Sequence, residues 1–289
     1  MKTNRLGEKA MQGVFFLTAI TSIAAVAIIC IFLFYNGIPA MAEIGLFNFL
    51  GGQKWAPSNV PASYGIFNMI IASIYVTAGA IIIGVPIGIL TAVFLAKFCP
   101  KPLYKFLKPA TELLAGIPSI VYGFFGLMVI VPFVRDNFGG SGSSWLSASI
   151  VLGIMILPTI IGVAESSIRA VPDSYFEGAL ALGATKERSV FKTILPASKS
   201  GILAGVVLGI GRALGETMAV VLIAGNQVQI PNSLTDGLRT LTANIVLEMG
   251  YSTGLHRQAL IATGVVLFVF ILLITISMQA IKSRGEKRG

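Results

Sequence analysis

Charged side chains are scarce in this chain. Asp, Glu, Lys and Arg supply 11% of its 289 residues, where an ordinary soluble domain carries about 25%. A soluble fold of this size would lack the polar groups to cover its surface. Disorder is excluded too, because polarity and like charge are what keep a chain unfolded. Two cysteines rule out a disulfide scaffold, and a single histidine rules out a histidine-rich metal site. No Gly-x4-Gly-Lys-Ser/Thr pattern occurs, so the chain has no such cradle for nucleotide phosphates and is expected to bind no cofactor itself. No acid, base and nucleophile cluster near an interface, which argues against an enzyme. What remains is apolar: 55% hydrophobic residues, 32 glycines outside that count, and a mean hydropathy of +0.86. The expected class is an all-α polytopic membrane protein without a large soluble domain.

A membrane helix needs about 20 apolar residues, since each residue rises about 1.5 Å through roughly 30 Å of hydrocarbon. Six runs meet that length: 14–35, 67–97, 109–134, 147–168, 198–225 and 257–281. They are too long and continuous for barrel strands. Pro86, Pro118 and Pro158 lie inside the second, third and fourth runs and should bend them. Basic residues divide unevenly between the two sides. Sixteen of the 21 fall at the start (Lys2, Arg5, Lys9), between runs two and three (Lys97, Lys101, Lys105, Lys108), between runs four and five (Arg169, Lys186, Arg188, Lys192, Lys199) and in the tail (Lys282, Arg284, Lys287, Arg288). Positive charge stays on the cytoplasmic side, so both termini are expected inside. Topology therefore accounts for the net charge of +9 and no nucleic acid is called for. Ala40-Met41-Ala42 after the first run faintly resembles a signal-peptide cleavage site. The run exceeds the 7–15 residues usual for such a signal, so it is read as a retained span. The organisation expected is an N-terminal span with an outward loop (1–66), a five-helix core (67–281) and a basic inward tail (282–289).

Outside the membrane, residues 36–66 and 225–256 form the substantial outward segments. Neither is large enough to capture a solute alone. The apolar spacing of 238–249 predicts a short surface helix. His256 is placed at the outer interface without a role, and Cys30 and Cys99 are read as filler.

The inward segment 169–196 is the long cytoplasmic connection. Asp173 and Ser174 can cap a helix starting near Tyr175, and Gly183 can end it in the left-handed conformation. A second helix is expected from about Lys186 to Ile194, and Pro196 restarts the chain. Two short amphipathic helices meeting at a glycine could dock on a soluble partner or lie on lipid.

The fifth run contains Arg212, about 21 Å along its helix and so near mid-membrane. Isolated arginine there costs roughly 2.5–3.5 kcal/mol or more. Glu216, four residues on, is expected on the same helix face and able to pair with it. Two readings stay open: a buried pair that fixes packing, or a polar element of a translocation path that includes Thr217. Arginine suits a tetrahedral oxyanion, because its fork donates paired hydrogen bonds. Glu112 and Glu165, near inner span ends, are given a structural role, with Arg169 a partner for Glu165.

The segment 169–196 resembles the cytoplasmic loop of bacterial binding-protein-dependent ABC permeases. Glu177, Ala179, Gly183, Leu195 and Pro196 fall on that family's pattern, with Gly178 in place of an alanine and Thr193 in place of an isoleucine. The stretches GRALGETMAV, AGIPSIVYGFFGL and GATKERSVFKTILPASKSGILAGVVLGIGRALGE resemble the phosphate-specific branch of the family. The N-terminal span and long first outward loop look more like its PstC than its PstA members. The resemblance implies a type I importer permease in the inner membrane. It implies Arg212 and Glu216 as embedded charges of the path, and Glu177, Gly178, Ala179, Gly183, Leu195 and Pro196 as the ATPase-docking loop. It implies as partners a second, PstA-like permease chain, a PstB-like ATPase dimer that uses the ATP, and an external PstS-like phosphate-binding protein. A permease for sulfate or molybdate, or an ion-driven secondary transporter, remains the alternative.

Overall fold

A computed structural model describes residues 5–286. Lys2, Lys287 and Arg288 of the expected inward clusters lie outside the described residues. The chain is almost entirely helical. In order it forms α1 (Arg5–Ile44), α2 (Leu46–Gly51), a two-residue hairpin of β1 (Trp55–Ala56) and β2 (Ser63–Tyr64), α3 (Phe67–Val93), α4 (Lys101–Gly116), α5 (Ser119–Phe125), α6 (Val131–Phe138), α7 (Trp145–Arg169) and α8 (Asp173–Ala181). There follow α9 (Lys186–Ser189), α10 (Leu195–Ala197), α11 (Lys199–Gly215), α12 (Met218–Ile223), α13 (Leu241–Met249) and α14 (Gly254–Glu286). Single π-helical turns at Phe94–Phe98, Gly126–Ile130 and Val190–Ile194 extend α3, join α5 to α6 and join α9 to α10.

Five helical stretches are long and apolar enough to cross a membrane: Met11–Ile44, Phe67–Phe98, Ser119–Phe138, Trp145–Arg169 and Gly254–Ser277. A sixth is reached only if Lys186–Ala197 and Lys199–Gly215, bent by 70° at their junction, count as one span. The expected runs two, four and six thus become helices of about the expected extent, while run one becomes the longer α1, which continues to Ile44 inside the segment expected as an outward loop.

Runs three and five do not. The third divides at Ile117, extended at φ −70° and ψ 126°. Pro118 has no amide hydrogen and forces its predecessor out of the helical region. Residues 109–116 therefore end a separate helix, α4, that buries no side chain and carries Lys101, Lys105, Lys108 and Glu112. The fifth divides at Glu216, extended at φ −70° and ψ 133°, with Thr217 likewise non-helical. α13 corrects a further expectation. It is not a surface helix, since Leu241, Thr242, Ala243, Asn244 and Glu248 are all buried.

The core is built on α3, α7 and α11. Their closeness depends on small residues. A β-carbon on Gly84 of α3 would lie 2.7 Å from the Gly153 carbonyl of α7 and 2.7 Å from Ile156. One on Gly209 of α11 would lie 2.9 Å from Ile160. Backbones approach at these points as they do at small-residue contacts in other membrane bundles. The buried residues of this layer include Val76, Leu152, Met155, Ile156, Ile160 and Val220. α1 instead packs its second half on α14, where Gly37 meets Ala262 and Val265. Its first half presents Phe15, Phe16, Leu17, Ile23 and Ile28 to the surroundings, as a lipid-facing helix would.

Candidate translocation path and coupling loop

The charged residues expected at mid-membrane are placed on opposite sides of a helix break. Arg212 lies in the last turn of α11, and its Nη1 donates to the Thr159 hydroxyl of α7 at 3.4 Å. Glu216 lies past the helix end, so the four-residue spacing no longer puts both on one face. Among the described residues the two form no ion pair. The Glu216 carboxylate turns forward instead and accepts the Ala219 amide hydrogen at 3.1 Å, capping α12. Thr217 donates to the Gly215 carbonyl at 3.3 Å. Gly215 and Met218 are exposed, and Arg212, Glu216 and Thr217 are half-buried. The second break, at Ile117–Pro118, is bridged by the Tyr122 hydroxyl, which donates to the Leu114 carbonyl at 2.8 Å. The helices that follow the two breaks pack together: a β-carbon on Gly123 of α5 would lie 2.7 Å from the Ala219 backbone of α12.

The segment 169–196 takes the expected two-helix shape. α8 starts at Asp173, behind Pro172 and without a side-chain cap, so the capping expected of Asp173 and Ser174 is absent. Gly183 ends the turn at φ +83°, a conformation that side chains disfavour. Its amide donates to Leu180 at 2.9 Å and that of Ala184 to Ala179 at 3.1 Å. Thr185 caps α9 by accepting the Arg188 amide hydrogen at 3.3 Å. Val190 and Ile194 are fully buried against Ala92, Val93, Ala164 and Ile168, which fixes the second helix of the loop to the core. The opposite surface is open. Glu177, Gly178, Gly183 and Pro196 are exposed, Ala179 and Leu195 half-buried, and Leu182 is 91% exposed. The sequence-expected docking residues thus share a short, projecting element rooted in the core.

Beside it stands a cluster only partly foreseen. Glu165 is buried at 2% exposure. It accepts from the Tyr104 hydroxyl at 2.8 Å, from Lys108 Nζ at 2.9 Å and from Arg169 Nε at 2.8 Å. Arg169 also donates to the Leu95 carbonyl at 2.7 Å. α3, α4 and α7 are thereby joined at one carboxylate. Burial alone would lower the pKa of Lys108, but its hydrogen bond to Glu165 and that carboxylate's charge raise it above the ordinary lysine value. The Tyr104 phenol is raised by its own hydrogen bond to Glu165, aided by burial.

A second buried carboxylate, Glu248 of α13, was not singled out from the sequence. It accepts from Trp55 Nε1 at 2.8 Å and Arg239 Nη1 at 2.7 Å, and lies 2.9 Å from His256 Nε2. Arg239 also reaches Asn244 at 3.1 Å and the Asn226 carbonyl at 3.0 Å. His256, to which the sequence assigned no role, is thus part of this cluster.

Helices long and apolar enough to span a membrane, a broken apolar helix carrying arginine and an exposed helical knob point to a membrane-embedded transport subunit. The family described as binding-protein-dependent transport system inner membrane component matches residues 84–287, and the chain belongs to it. It is accordingly a multi-pass inner-membrane protein and a permease subunit rather than an enzyme. Among its relatives, a probable ABC transporter permease, YqgH of Bacillus subtilis, is 38% identical over 93% of this chain and 88% of its own. Phosphate transport system permease protein PstC of Mesorhizobium japonicum is 36% identical over 85% and 81%. That of Pasteurella multocida is 32% identical over 99% and 96%. In fold, the chain is similar to a bacterial importer of the polysaccharide alginate, with a TM-score of 0.65, 15% identity and coverage of 97% and 99%. It is also similar to the MetNI methionine transporter in inward-facing form, with a TM-score of 0.57, 19% identity and coverage of 76% and 94%.

Proposed function

We propose that this chain forms part of an import path for inorganic phosphate, with both termini in the cytoplasm. The observation that carries the reading is the state of Arg212. It sits in an apolar helix with a neutral hydroxyl as its partner, while the nearest acidic residue in sequence spends its carboxylate on the backbone of α12. A cation embedded in this way is poised to take an oxyanion in its fork. Glu216, one turn of chain away, keeps the local potential from becoming so positive that the anion is held without release. The relatives bearing the name PstC, similar over most of their length, support phosphate over other oxyanions.

The assembly follows from the same reading. A second, PstA-like permease covers the exposed faces of α5 and of the α11–α12 break. A PstB-like ATPase dimer grips Glu177, Gly178, Ala179 and Gly183. A PstS-like binding protein delivers phosphate from outside. Closure of the ATPase pushes on α8 to α10, and the buried Val190 and Ile194 pass that displacement to α3 and α7.

The test is uptake by the assembled importer. Arg212→Gln should lower phosphate uptake roughly 10- to 100-fold, the worth of one or two charge-assisted hydrogen bonds, with assembly intact. Sulfate uptake measured beside it fixes the substrate. Unchanged phosphate uptake removes Arg212 from the path.

A further inference from the structure

α13 connects the outer Glu248 cluster to the helix break that carries Glu216. A break in a membrane helix strands backbone groups, and each must find a partner or water. The Glu216 carbonyl finds its partner on another element: the Thr242 hydroxyl donates to it at 2.9 Å. The Thr240 hydroxyl lies 3.0 Å from that of Thr242, and Thr240 accepts the Ala243 amide hydrogen at 3.3 Å. Each hydroxyl has a single proton to give. With the Thr242 proton committed to Glu216, that of Thr240 must point to Thr242. The bonds then run one way, from the Ala243 amide through Thr240 and Thr242 to the Glu216 carbonyl.

The chain is dry and anchored. Thr240 and Thr242 are 5% and 6% exposed. The Leu241 amide donates to Ser73 of α3 at 3.1 Å, and Ser73 donates to Met69 at 2.8 Å. Ser73, Thr77, Thr240, Thr242 and Glu216 border a cavity of about 10 Å³, no larger than a single water needs. Seven residues after Leu241, in the last turn of α13, Glu248 is held by Arg239, Trp55 and His256.

We propose that Thr242 is a positioning residue for Glu216. It sets the direction of the Glu216 backbone at the break, and with it the place of the carboxylate in the path. α13 is then the strut through which the outer cluster and the path share one geometry. The inference rests on the reading of Arg212 and Glu216 as path residues.

A double-substitution cycle in the complete importer, with its companion permease, ATPase and phosphate-binding protein, tests it. Thr242→Val removes the donor at nearly constant shape and should raise KM for phosphate uptake about fivefold to tenfold, as expected for one buried hydrogen bond. Thr242→Ser should restore the original KM. Placed in a Glu216→Gln background, Thr242→Val should add little, because both changes act through the same group. Multiplying effects, or failure of serine to rescue, overturn the positioning role. If Thr242→Val and Thr242→Ala both prevent co-purification of the ATPase, the hydroxyl is structural and the proposal falls. If Glu216→Gln leaves uptake unchanged, the path reading itself falls, a result distinguishable from the others.

Discussion

Substitution of Glu165 tests whether a single carboxylate seats α4 on the bundle. Glu165→Gln removes a charge with 2% exposure that faces Lys108 and Arg169, whose side chains are 24% and 43% exposed. Breaking a fully buried pair costs about 3–5 kcal/mol. Here water reaches both cations, so the loss should fall to about 2–3 kcal/mol. Lys108→Met should cost no more than about 1 kcal/mol, since Glu165 keeps Arg169 and Tyr104. Thermal unfolding in detergent should place Glu165→Gln several degrees below the parent and Lys108→Met close to it. Equal losses from the two would refute the reasoning, because the carboxylate would then not be the shared centre. The pH profile adds a sign. Lys108 titrates above an ordinary lysine. Its contribution is therefore complete below the unfolded value, about 10.4, and is lost as pH rises through the higher folded value. Stability attributable to this contact should be flat from neutral pH into mild alkali and fall only beyond. That alkaline loss should be smaller in Glu165→Gln.

Two further substitutions probe the helical knob and the Glu248 cluster. Gly183→Ala forces a side chain into φ +83° at a cost of about 1 kcal/mol. It should weaken ATPase binding in a pull-down while lowering the melting temperature of the membrane subunit by no more than a few degrees. Arg239→Met strips Glu248 of its cationic partner but leaves Trp55 and His256. A loss of about 2–4 kcal/mol is expected, partly recovered by Glu248→Gln in the same chain, as read by thermal unfolding.

The long helices were legible because an uncharged apolar run has few folds open to it in lipid. The helical knob of 173–197 was legible because glycine at 183 and proline at 196 punctuate the backbone by local rules, whereas the Thr185 cap was not foreseen. Pro118 was visible but was read as a kink. The deciding signal lay upstream, in the lysines of 101–108, which make α4 amphipathic and leave no reason for one continuous span. The Glu216 break carries no proline. It is stabilised by Thr242, 26 residues away, so local periodicity predicted an uninterrupted helix and an Arg212–Glu216 pair. The Glu248 cluster was hidden in part for the same reason, since Trp55 reaches it across 193 residues, while Arg239 and His256 lie nine and eight residues away, outside α13. Polar groups that are satisfied only by distant chain leave no local pattern.

The glycine contacts among α3, α7 and α11 carry a mechanical consequence. Helices seated this closely have little side-chain padding to shear, so these three are expected to turn together. α7 alone, with 25 residues, is about 37 Å long. A tilt of about five degrees applied at one end swings the other end by roughly 3 Å, close to the diameter of a water molecule.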